Sequence, residues 1–202
     1  MNSLGFQIEE TEDLEYPGIF LPQNALSNAE GLKTAIKISQ GIQGQIALPE
    51  EFSHMLVEGF RNHPLMQRLM GAIADNEEVV EAILGEQLYD KYYSKYNGDK
   101  EMLYKEAIAR LIANNLANRY NIPESLGYIS NRALDAIALN LASGNVNDVD
   151  ILINKTNEFA KQIAEAFADS SLDLDLFDSS LLKNARPMLR VEAKATSFEK
   201  LV

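Results

Sequence analysis

The chain of 202 residues contains no cysteine and no tryptophan, and it has two histidines. Without cysteine it has no disulfide staples, thiolate zinc sites, iron–sulfur clusters or thiol nucleophile. Any metal must be held by carboxylates together with His54 or His63. Basic residues are also scarce: 18 Lys and Arg stand against 30 Asp and Glu, a formal net charge of −12. Nucleic-acid binders present a basic face to phosphates, so neither DNA nor RNA is an expected partner. No apolar run approaches the roughly 18–20 residues that cross a bilayer, so no membrane association is expected. The amino terminus, MNSLGFQIEETEDLEY, has neither the basic nor the apolar region of a secretion signal. The expected location is therefore cytoplasm or virion. What is present is ordinary globular composition, 46% hydrophobic and 24% charged, enough for one good-sized domain.

The pattern along the chain predicts a mainly α (α+β) fold with extended termini. Residues 1–16 hold Glu9, Glu10, Glu12, Asp13 and Glu15 with no Lys or Arg. They read as a solvated acidic arm, with a docking tail for a basic partner as the alternative. Residues 17–168 read as one helical domain, a short N-terminal β-hairpin followed by a bundle of about five to six helices. Residues 169–202 read as an extended interaction tail. Partners, on this reading, are other protein subunits engaged through the two ends.

Within the domain, Thr34–Ile38 and Gln45–Leu48 alternate in hydrophobicity around Gly41 and Gly44, which suggests two hairpin strands. A first helix is expected over about 49–60, ended by Asn62-His63-Pro64, because the residue before proline disfavours helical geometry. Short apolar periods predict a helix carrying Leu65, Leu69, Met70 and Ile73, then one over about 76–95. Gly98 suits a left-handed helix end and Asp99 the next N-cap. Helices follow over about 100–120, 131–142 and 148–168, with Asn147-Asp148 as the last cap. Tyr89, Tyr92, Tyr93 and Tyr96 follow helical spacing and read mainly as packing residues. Leu172–Leu176 alternates and reads as a strand or an extended peptide.

One stretch carries chemistry. In an HExxH helix, two imidazoles one turn apart ligate zinc and the Glu beside the first acts as general base. Here the window is Glu50-Glu51-Phe52-Ser53-His54. His54 stands in the second ligand position, Glu51 in the base position, and Glu50 where the first histidine would be. A carboxylate can also ligate zinc, so Glu50 and His54 form a candidate pair on one helix face. Glu106 is the preferred third ligand, with Glu77, Glu78 and Glu81 as alternatives. The same residues also fit a purely structural reading. Proline followed by glutamates is a favourable helix start, His54 could be a packing residue, and Glu106 could pair with Arg110 one turn on. A di-iron bundle needs a second Glu-x-x-His, and Phe60 stands three residues before His63, so that reading fails.

A hairpin, then Leu48 to Glu58 with its EExxH core, then helices bearing Lys105-Glu106-Ala107, resembles the zincin-like metallopeptidase domains of phage-encoded polyvalent proteins over roughly residues 33–120. The resemblance implies a gluzincin-type site with His54 and Glu106 as metal ligands and Glu51 as base. The family's first histidine is Glu50 here. Two functions follow as expectations. One is a non-catalytic structural or cargo protein, of a phage particle, on a degenerate zincin-like fold, with no cofactor. The other is a zinc-dependent metallopeptidase with zinc held by Glu50, His54 and Glu106.

Overall fold

The structure, a computed structural model, describes residues 7–12, 18–21, 35–74, 76–120, 139, 142–144 and 147–189. Four strands, β1 (Gln7–Thr11), β2 (Gly18–Leu21), β3 (Ala35–Ser39) and β4 (Met188–Leu189), form one small sheet in the order β1-β3-β2-β4. β1 runs parallel to β3, and β2 is antiparallel to both β3 and β4. Alternation divides the sheet: Phe20, Ile36 and Ile38 are buried toward the helices, while Lys37 pairs with Glu9 (3.2 Å) on the other face. The remaining elements are helices: α1 (Ile42–Gly59), α2 (Pro64–Ile73), α3 (Glu77–Leu84), α4 (Glu86–Lys95), α5 (Lys100–Arg119), α6 (Asp148–Ala168) and α7 (Ser179–Asn184).

The mainly helical fold with a small N-terminal β segment is as expected, but the partner of β3 is not. Gln45–Leu48 is helix, part of α1, which starts seven residues earlier than expected and carries Pro49 in its interior. A four-residue apolar run does not separate strand from helix by periodicity alone. Gly41 turns the chain with φ 81°, and a side chain at Gly44 would place Cβ 1.8 Å from the carbonyl oxygen of Ser39. The two glycines therefore fold the first turn of α1 back against the end of β3. The hydroxyl of Ser53 donates to the carbonyl of Pro49 (2.7 Å).

α5 is the central helix. Fourteen of its residues are buried, on every side, and it packs against α1, α2, α3, α4 and α6. Of the apolar stripe that its sequence predicts, Tyr104, Ile108, Leu111 and Ile112, the last three are buried and Tyr104 is half-buried, and Ala107, Ala109, Ala113 and Ala117 let neighbouring helices approach closely. Asp99 caps α5 by accepting from the backbone of Glu101 and Met102, and Asn147 caps α6 by accepting from Asp150. Gly98 has φ 75°, as a left-handed end requires. His63 caps α2, its Nδ1 accepting from Leu65 N–H (3.1 Å), with Pro64 at the first helical position. The single helix expected over 76–95 is divided at Gly85 (φ 78°).

Both ends fold onto the body where they are described. Residues 7–11 of the acidic arm form β1. Leu174–Leu176 forms a 3-10 turn instead of a strand, because Asp173 caps it through Asp175 N–H. The Phe177 ring then packs on Phe60 (5.1 Å between centroids), Asp178 N–H donates to Gly59 O, and β4 closes the sheet edge beside β2. The helix expected over 131–142 lies mostly outside the described residues, as does the tail beyond 189.

Candidate metal centre

α1 places Glu50, His54 and Glu58 four residues apart, so one face repeats a polar side chain each turn. That face meets α5 and is buried throughout. Arg110 Nε lies 3.5 Å from Glu50, His54 Nε2 lies 3.1 Å from Glu106 Oε2, and Lys105 Nζ lies 2.7 Å from Glu58. As the number rises on α1 it falls on α5, so the two helices run antiparallel and the three contacts form a ladder. The polarity alternates: acid, imidazole, acid on α1 against base, acid, base on α5.

The middle rung is a cluster. Glu50, His54 and Glu106 each offer an atom, and these atoms all lie within 4.8 Å of one another. All three residues are fully buried. Glu51, on the next column of α1, accepts on the far side of the imidazole, with Oε2 3.3 Å from Nδ1. Its side chain lies against β2: a Cβ added at Gly18 would come 2.7 Å from Glu51 Cγ, so glycine there makes room for it. The Tyr96 hydroxyl donates to Glu106 Oε1 (2.5 Å). Tyr96 stacks on the buried Tyr92 with centroids 6.0 Å apart, and its ring has Lys95 Nζ 5.8 Å from the centroid.

Burial dominates the electrostatics. It raises Glu51 above the usual carboxylate range against the lowering effect of His54. For His54 burial alone would lower the value, but Glu106 and Glu51 together outweigh it and push the imidazole up to about 10. Burial also lowers Lys95, against the pull of Glu106 and Glu51. In the absence of metal the cluster is thus an imidazolium held between two carboxyl groups.

The three residues named as ligands from the sequence are brought together, and the alternatives are not. Glu77, Glu78 and Glu81 are exposed on α3, where Glu77 pairs with Tyr89 and Lys100. His63 is a helix cap. Pro49 is not a helix start, and Arg110 approaches Glu50 while Glu106 takes His54 and Tyr96. Tyr92 and Tyr96 are packed as expected, whereas Tyr93 is exposed. Sequence reasoning missed Tyr96, Arg110 and Lys105. The signal available was the placing of Lys105, Glu106 and Arg110 among the apolar residues of the middle of α5.

The donor set suits a divalent metal. One imidazole with two carboxylates is a borderline-to-hard set appropriate to zinc or manganese. The edge of a zinc tetrahedron is about 3.3–3.5 Å for bonds of about 2.0–2.2 Å. The 3.1 Å separation of His54 Nε2 and Glu106 Oε2 is close to such an edge. Three protein ligands leave a fourth position open. No protein-family model, curated protein or solved structure matches this chain.

Proposed function

We propose that this chain is a non-catalytic structural or cargo protein, of the kind carried in a phage particle, on a zincin-like helical core. In it Glu50, His54 and Glu106 hold a divalent ion, zinc first, as an internal brace between α1 and α5. The observation that carries this reading is the complete burial of the three-ligand cluster. A hydrolase must bring a peptide carbonyl to its metal. Among the described residues, a polar cleft of about 250 Å³ beside Lys105 and Arg186 and an apolar groove of about 270 Å³ beside Phe52 and Phe167 are lined by residues other than these three.

Charge balance supports a brace. Glu50, Glu51, Glu58 and Glu106 carry four negative charges when ionised, and Lys105, Arg110 and the half-buried Lys95 are the cations near them. The negative charge left over is offset by protons or by a divalent cation. Buried charge left unbalanced costs several kcal/mol, on the order of 3–5 for a broken buried pair, so compensation inside the seam is strongly favoured.

A second reading, a zinc-dependent metallopeptidase with Glu51 as general base, is favoured by the three-ligand set with its open fourth position. The zinc in it would polarise a carbonyl and activate water. Glu51 lies on the Nδ1 side of His54, where it orients the ring. One experiment separates the readings. Protein purified without chelator is assayed for bound zinc and manganese, then melted with and without added zinc, alongside His54→Ala and Glu106→Gln. The brace predicts near-stoichiometric metal in wild type alone, with stabilisation of about 2.7 kcal/mol at free zinc a hundredfold above Kd, and no peptidase activity. Zinc-dependent cleavage of an unfolded protein substrate, lost in Glu51→Gln, would establish the enzyme instead. Equal metal and equal melting in wild type and both variants would remove the metal centre.

A further inference from the structure

A carboxylate and an imidazole each have two atoms able to face a metal, and the choice between them sets coordination number and geometry. Here both choices are already made by neighbouring groups. His54 Nδ1 is engaged by Glu51 Oε2 at 3.3 Å, which leaves Nε2 on the side of Glu106. Glu106 Oε1 accepts from the Tyr96 hydroxyl at 2.5 Å, which leaves Oε2 facing His54 Nε2 at 3.1 Å.

Neither neighbour is free to turn away. Glu51 is fully buried and wedged against the Gly18 backbone of β2. Tyr96 is 8% exposed and stacked parallel to Tyr92, with an interplanar angle of 2°. It ends α4, and its N–H donates to Tyr92 O (2.9 Å), so ring and backbone are fixed together. The two groups come from different elements, α1 and the end of α4, and act on ligands of different helices.

We infer that Glu51 and Tyr96 are positioning residues of the metal centre: Glu51 fixes the His54 tautomer so that Nε2 is the donor, and Tyr96 restricts Glu106 to a single donor oxygen, Oε2. The inference rests on the metal reading of Glu50, His54 and Glu106 given above. It gives Glu51 an orienting role in place of the base role, and it assigns a function to a tyrosine that no sequence pattern marks. Tyr96 thereby sets the coordination number. With Oε1 occupied, the metal keeps three protein donors and an open position. With Oε1 released, Glu106 can chelate through both oxygens.

Cobalt(II) reads that difference directly, because four-coordinate cobalt absorbs visible light far more strongly than five-coordinate cobalt. Wild type, Tyr96→Phe and Glu51→Gln are titrated with cobalt alone, following visible absorption and affinity, with circular dichroism to establish folding. Tyr96→Phe removes one hydroxyl and keeps the ring stack. Glu51→Gln keeps an oxygen able to accept from Nδ1–H. Removing an outer partner of a ligand typically weakens binding about 10–100-fold. The expected result for Tyr96→Phe is weakening of that size together with a fall in visible absorption per bound cobalt. For Glu51→Gln it is weaker binding with the four-coordinate spectrum retained. A purely structural role would lower the melting temperature and leave spectrum and affinity unchanged in both variants, and that result overturns the inference while the metal centre stands. If wild type binds no cobalt, the metal reading itself fails and takes this inference with it.

Discussion

At the scale of single residues, the unusual feature is that one buried seam can be neutralised by protons or by a divalent ion. His54 is the hinge of that choice. In metal-free protein its value is raised from 6.5 to about 10, so its stabilising contribution is complete below about pH 6.5 and is lost as pH rises through about 10. Glu51, also raised, contributes in the same sense, with stability present at low pH and declining above the usual carboxylate range. Chelator-treated protein is therefore expected to lose unfolding free energy between about pH 6.5 and pH 10, and His54→Gln to flatten that slope. Urea titrations across the window measure it, and a slope unchanged by His54→Gln would refute the assignment. The proton count gives a companion test. Metal ligands bind deprotonated, so zinc added near pH 7 in weak buffer should release about one to two protons per ion. The clustering of Glu50, His54 and Glu106 is legible in the sequence because ligand chemistry restricts residue type and spacing. Tyr96 was not, because a hydroxyl that orients a ligand from another helix leaves no periodic trace, and its spacing with Tyr92 reads as packing. Arg110 was legible only as a one-turn partner of Glu106, since sequence spacing cannot show that α1 offers Glu50 to it.

At the scale of elements, the ladder fixes how α1 lies on α5. Apolar faces tolerate sliding by a turn, whereas alternating charge does not: a one-turn shift one way would place Glu50 against Glu106, and one turn the other way would place His54 against Arg110 and Glu58 against Glu106. The outer rung tests this. Glu58 and Lys105 are 2.7 Å apart and nearly buried, with Glu101 a second, exposed partner of Lys105 at 3.2 Å. Lys105→Met leaves Glu58 buried without that cation and should cost about 3–5 kcal/mol, while the double variant Glu58→Leu/Lys105→Met should recover most of it, as apolar replacements of buried pairs do. Chemical denaturation of the two single variants and the double variant gives the coupling, and purely additive losses would deny the ladder its role. The same scale shows what patterns reveal about the fold. α5 and α6 were visible over most of their length because Asp99 and Asn147 cap them and their apolar periods are long. The start of α1 was hidden, since Ile46-Ala47-Leu48 has no distinguishing period and Pro49 imitates a helix start. Leu172–Leu176 alternates as a strand would, yet Asp173 captures the backbone locally and a 3-10 turn results.

At the scale of the whole molecule, the chain returns after α6 to close the structure near the end of α1. A segment expected to reach outward to partners instead, over its described part, lays Phe177 on Phe60, hydrogen-bonds Asp178 to Gly59 and adds β4 to the sheet that begins with β1. Composition could not reveal this, because the contact depends on an absent side chain. A Cβ at Gly59 would lie 2.1 Å from Phe177 Cε2, deep inside van der Waals contact with an aromatic ring. Gly59 ends α1 in helical geometry, where alanine is ordinarily preferred to glycine by about 0.5–1 kcal/mol. The clasp should reverse that preference. Gly59→Ala is expected to destabilise by about 1–3 kcal/mol through overpacking against the ring. In a Phe177→Ala background the clash disappears, and the same Gly59→Ala change should become neutral or stabilising by up to about 1 kcal/mol. Urea denaturation of the four proteins in the cycle decides it. A change of sign between backgrounds places the ring on Gly59 in solution, and an equal loss in both would show that the returning segment does not close over α1.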